Sequence, residues 1–104
     1  MSTFDDRENA FEAKFAHDAE MQFKADARCN KLLGIWAADL LGKTGADVDA
    51  YVQDVIKSDF EEAGHEDVYR KLFADIGDQV DEATIRAKMA ECMAQAKAQL
   101  VQEL

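Results

Sequence analysis

Proline is absent from this chain, and glycine occurs only five times in 104 residues. No helix need therefore be broken by a ring that lacks an N–H. Cysteine is nearly as scarce. Cys29 and Cys92 alone cannot form a disulfide framework. The opening Met1-Ser2-Thr3-Phe4-Asp5-Asp6 has neither a basic nor an apolar region of the secretory kind, so both thiols are expected to stay reduced in a cytoplasm. No apolar run approaches the ~20 residues that span a bilayer. Basic residues are outnumbered, 12 against 22 acidic, for a formal charge of −10. Nucleic acids and anionic membranes call for clustered Lys and Arg, so neither is an expected partner.

What fills the chain instead is Ala, Glu, Lys, Gln, Leu and Met, the good helix formers. Val, Ile and Thr never alternate over a strand-length window. The fold class is read as all-α. Gly42, Gly45, Gly64 and Gly77 each follow an apolar-periodic run, where a left-handed cap is wanted. Gly34 lies inside such a run and suggests a close helix contact or a slight bend. These stops predict four helical segments. The second runs from about Asp47 to Ala63, with Val48, Tyr51, Val52, Val55, Ile56 and Phe60 as its stripe. The third covers about Glu66 to Ile76, turning Val68, Tyr69, Leu72, Phe73 and Ile76 inward. The fourth follows Asp81, a plausible N-cap, with Ile85, Met89, Cys92, Met93, Ala96 and Leu100 inward. Residues 43–82 hold 12 acidic and 4 basic side chains and form the acidic face.

The first segment is too long for the rest. Helical pattern continues from Thr3 to Leu41, which would span about 58 Å. A domain of this size has a radius of gyration of only about 13 Å. The half from Met21 to Leu41 is rich in large apolar residues, including Phe23, Ile35 and Trp36, and is expected to pack. The half before it holds only Phe4, Phe11 and Phe15, which fall within about 40° of each other on a helical wheel. Isolated helices this short are marginal in water. The chain is therefore divided into an arm, residues 1–18, and a four-helix bundle, residues 19–104. The arm is expected to be mobile or to protrude, folding on a partner groove with its phenylalanines as anchors, against the plainer reading that it folds back and covers the bundle.

Chemistry is thinly represented. No phosphate loop, nucleophile elbow or zinc motif is present, so no enzyme activity, metal site or cofactor is expected. Glu62-Ala63-Gly64-His65 has the spacing of half a di-iron site, but occurs once and is broken by Gly64. His65 is read as a solvated helix end. His17 offers a pH switch on the arm, against the plainer reading of an exposed histidine. Cys29 and Cys92 read as small buried hydrophobes, and Trp36, Met89 and Met93 as core.

The run Thr3-Phe4-Asp5-Asp6-Arg7-Glu8-Asn9-Ala10-Phe11-Glu12-Ala13-Lys14-Phe15-Ala16-His17-Asp18 resembles the opening of the zeta ATPase inhibitor family of alphaproteobacteria. The likeness continues through Met21-Gln22-Phe23, Ala27-Arg28-Cys29-Asn30-Lys31-Leu32-Leu33-Gly34 and Leu40-Leu41-Gly42-Lys43-Thr44-Gly45. It extends to Asp59-Phe60-Glu61-Glu62-Ala63-Gly64-His65-Glu66-Asp67-Val68 and Ile85-Arg86-Ala87-Lys88-Met89-Ala90-Glu91. The resemblance implies a four-helix bundle with a mobile N-terminal inhibitory arm. It implies a partner, the F1 sector of a membrane-bound ATP synthase, met in the cytoplasm. A monomeric free chain is expected on separate grounds, since the apolar stripes can all be satisfied internally. The arm would enter a catalytic α/β interface, reach towards the γ subunit and block rotation in the hydrolytic direction. Phe4, Phe11 and Phe15 would be its buried anchors, with Asp5, Arg7, Glu8, Glu12, Lys14 and Asp18 pairing with charges of the groove. Two further readings stand beside it. One is a nucleotide-responsive sensor that holds ADP or ATP weakly between a Lys or Arg and an aromatic. The other is an acidic adaptor using its second and third helices.

Overall fold

The computed structural model describes residues 18–61 and 64–103. They form four helices joined by short turns: α1 Ala19–Leu40, α2 Ala46–Ser58, α3 Glu66–Ile76 and α4 Glu82–Gln102. No strand occurs among the described residues. Leu33, Val55, Val68, Leu72, Ile76, Ile85 and Cys92 fill the centre, and each helix contributes at least one of them. Trp36, Met89 and Met93 pack against it half-buried, and Cys29 is enclosed within it. A smaller apolar cluster, Met21, Ala25 and Leu100, ties the first turns of α1 to the end of α4. α1 makes the most extensive packing, chiefly with α2 and α4, which do not meet each other; the shorter α3 touches all three of them. No described helix is long and apolar enough to cross a membrane.

The sequence reading placed no break between Thr3 and Leu41, and the structure puts one at Asp18. Its backbone is extended (φ −113°, ψ 101°), and its carboxylate accepts the N–H groups of Glu20 and Met21, both at 3.1 Å. Two otherwise unpaired donors of the first turn are thereby satisfied, which is what starts a helix at this point. Asp81 does the same for α4, accepting the Thr84 N–H at 2.8 Å. The expected first-segment residues before Asp18 lie outside the described residues.

α2 is shorter than its periodicity suggested. The Ser58 hydroxyl bonds back to the Val55 carbonyl at 2.7 Å, a competing local bond of the kind that loosens helices. The N–H groups of Asp59, Phe60 and Glu61 then bond only three residues back, and the helix tightens into turns. Phe60, expected in the inward stripe, faces solvent. Phe23, Ile35 and Phe73 are likewise exposed rather than packed. Gly77 also departs from expectation, since its φ is −65° and not left-handed. Space is the reason for glycine there, because a Cβ would lie 2.3 Å from the Phe73 carbonyl oxygen. Gly34 does permit close contact: a Cβ at this position would sit 2.9 Å from the Val52 Cα.

Candidate functional site

Of the nine residues singled out for partner binding, Phe4, Asp5, Arg7, Glu8, Phe11, Glu12, Lys14 and Phe15 lie outside the described residues, as does His17. Asp18 is described, and its carboxylate caps α1. The end of the bundle from which the chain departs is therefore the region the structure can characterise.

At that end, α1 is held from one side by α4. Arg28 reaches across to Gln99 at 2.9 Å and to Glu103 at 2.9 Å. The guanidinium holds the Glu103 carboxyl below its ordinary range, chiefly by hydrogen bonding. The opposite face of α1 is bare beyond the end of α2. A groove runs there past Phe23, Ala27, Ile56 and Phe60, with Phe23 59% and Phe60 69% exposed. Phe23 falls two residues from both Met21 and Ala25, about 200° around the wheel from each. That offset was the sequence signal for its exposure.

The turn after α2 is fastened beside this groove. The Asp59 carboxylate accepts from the Asn30 side-chain amide at 2.9 Å and lies 3.1 Å from His65 Nδ1. His65 Nε2 lies 3.6 Å from Asp26. His65 is thus part of a carboxylate–imidazole clasp rather than a merely solvated helix end. Glu62, the other half of the di-iron spacing, lies outside the described residues. No group of three or more metal-ligating side chains exists among the described residues.

Cation–aromatic pairs, the arrangement wanted for a nucleotide sensor, occur in three places. Lys43 and Lys71 lie 5.8 and 5.0 Å from the Tyr51 ring centre, Arg86 lies 4.0 Å from that of Tyr69, and Lys88 5.8 Å from that of Trp36. The protein already engages several of these groups. Tyr51 donates to Asp75 at 2.7 Å, Lys71 reaches Asp75 at 3.0 Å, and Arg86 forms paired bonds with Glu66 at 2.9 and 3.1 Å. Burial, and then the bond to Asp75, push the Tyr51 phenol upward. The two thiols are inert by environment: burial pushes Cys29 up to about 12 and raises Cys92 as well.

The model of one protein family, described as ATPase inhibitor subunit zeta, matches residues 1–99. A protein whose structure was solved in solution by NMR is 57% identical, with a TM-score of 0.74; the match covers 81% of this chain and 99% of the other. No curated protein matches the chain.

Proposed function

The chain belongs to the ATPase inhibitor subunit zeta family, and from that premise we propose that residues 1–18 carry the inhibition. They enter an α/β catalytic interface of F1 as a helix, reach towards the γ subunit and stop rotation in the hydrolytic direction. Phe4, Phe11 and Phe15 bury themselves in the interface. Asp5, Arg7, Glu8, Glu12 and Lys14 pair with its charges and fix the register, and Asp18 marks the junction with the body. The chain acts by obstruction, without catalysis or a cofactor of its own, as a monomer at the cytoplasmic side of the synthase.

One observation supports this division above the others. Asp18, the last residue of the arm, caps the first turn of α1, so the start of the bundle is closed without any contribution from residues 1–17. A wedge that must leave one protein for another needs such a self-sufficient base. Ordering the segment on binding costs about 2–5 kcal/mol, which the three buried rings must exceed. Deleting residues 2–17 tests the reading. The truncated chain should keep its helical signal and melt cooperatively, yet no longer slow ATP hydrolysis by isolated F1. Undiminished inhibition by the folded truncation would place the effector elsewhere.

A further inference from the structure

Asn30 and His65 border the groove described above, and they also border a second, smaller recess of about 210 Å³. This one opens between α1, α4 and the start of α3. Cys29, Asn30 and Leu33 are its buried floor, and the half-buried Met89 and Met93 are its walls. Its rim is exposed, formed by Ala90 and His65. A guest can therefore reach the floor from solvent without unfolding the bundle.

The polar groups around the recess are engaged by the protein itself. Asn30 gives its side-chain amide to Asp59 at 2.9 Å. His65 has one ring nitrogen 3.1 Å from Asp59 and the other 3.6 Å from Asp26. Cys29 Sγ lies 3.7 Å from the Met89 carbonyl oxygen, and burial keeps its thiol protonated. A charged or strongly polar guest would give up its water here for little in return. What remains on offer is an apolar surface with sulfur in it. Of the six sulfur atoms of the chain, those of Cys29, Met89 and Met93 belong to residues that line this one recess.

We propose that the recess is a binding site for a small neutral aromatic molecule of one ring or two fused rings. Size sets the upper limit. A cavity of about 150 Å³ takes up benzene, so this one has room for a second fused ring. Sulfur sets the preference for a ring over an aliphatic guest of the same bulk. Thioethers make favourable contacts with aromatic edges, and the unbranched methionine side chain adjusts its shape to what it meets. Met89 and Met93 stand one helical turn apart on α4, so both flank the same guest. A ring seated between them also lies against the His65 imidazole at the rim. It bridges α1 and α4, and by binding only the folded chain it stabilises the bundle through mass action.

The test uses the full chain with methyl-labelled methionine, and indole as the probe. Indole at millimolar concentration should shift the methyl signals of Met89 and Met93 saturably, move the His65 ring signals with them and raise the Tm. The methyl signal of Met21, which lies in the separate cluster with Ala25 and Leu100, should stay in place. Ala90→Leu narrows the mouth from an exposed helical position. It should keep the helical signal and weaken binding about tenfold or more. Cyclohexanol and benzoate supply the aliphatic and the charged comparison, and both should bind more weakly than indole. Absence of a saturable shift at Met89 and Met93 overturns the proposal, as do shifts that survive Ala90→Leu unchanged. Cyclohexanol or benzoate binding as tightly as indole would overturn the aromatic, neutral class assigned to the guest.

Discussion

Gly34→Ala should destabilise the protein, although alanine is the better helix former. The substitution gains about 1 kcal/mol of helix propensity. Against this, the new methyl would lie 2.9 Å from the Val52 Cα and 3.0 Å from its Cγ2, where ordinary contacts begin at 3.4 Å. The nearer atom is backbone, so no rotamer change relieves it. α2 must retreat from α1 by about half an ångström along its most intimate contact, loosening Val52 and Val55 behind it. Overpacking of this kind costs about 1–3 kcal/mol. Because the nearer clash is with backbone, the cost falls in the upper part of that range, about 2–3 kcal/mol, leaving a net loss of about 1–2 kcal/mol, or a fall in Tm of about 4–16 °C for a domain of this size. Urea and thermal unfolding followed by circular dichroism would read it. Combining the change with Val52→Ala removes the Cγ2 contact but leaves the Cα, so the pair should show little rescue. A Gly34→Ala protein as stable as the parent, or more so, would refute the claim that the helices meet backbone to backbone here.

Three other perturbations have defined outcomes. Asp18→Ala should cost about 1 kcal/mol through loss of the α1 cap, with Asp18→Asn restoring most of it, as read by urea midpoints. The Arg86 guanidinium holds the Glu66 carboxyl below its ordinary value of 4.5. Because this folded-state value is lowered, the contribution is present above that pH and fades as acid protonates Glu66. Glu66→Gln should therefore flatten the acid side of a Tm–pH curve below 4.5, modestly and less so in high salt, since the pair is exposed. Cys29 and Cys92 should resist a thiol reagent in the native protein and react at the rate of unfolding. The raised value of Cys29 also predicts stability lost on the alkaline side, from about pH 9 towards about 12. Rapid native labelling at pH 8 would contradict the burial of both.

Helix count, the turns and most of the core follow from apolar period and glycine placement. The spacing of Val68, Leu72 and Ile76, and that of Ile85, Cys92, Ala96 and Leu100, carried enough signal to place α3 and α4. What escaped the pattern has local causes. Asp18 looked like one more polar residue in a helical run, because periodicity is blind to a side chain that bonds its own backbone. Phe60 continued the α2 stripe on paper, yet Ser58 and Asp59 had already diverted the backbone into turns. Phe23 was counted as core by its size, although its offset from Met21 and Ala25 pointed the other way. The clasp of Asp26, Asp59 and His65 joins positions far apart in sequence, and only the fold reveals it. The candidate site is less legible still, since the residues resembling the family's inhibitory opening owe their role to another protein's surface.

The central position of α1 has a mechanical consequence. A pull on the chain at Asp18 would act along the axis of the helix with the most extensive packing in the bundle, with α2 on one flank and α4 on the other. Such a load is shared at once across the interlocked side chains on its flanks, sliding them past one another instead of peeling them apart in turn. A bundle harnessed in this way resists tension where an end helix on the periphery would be stripped off.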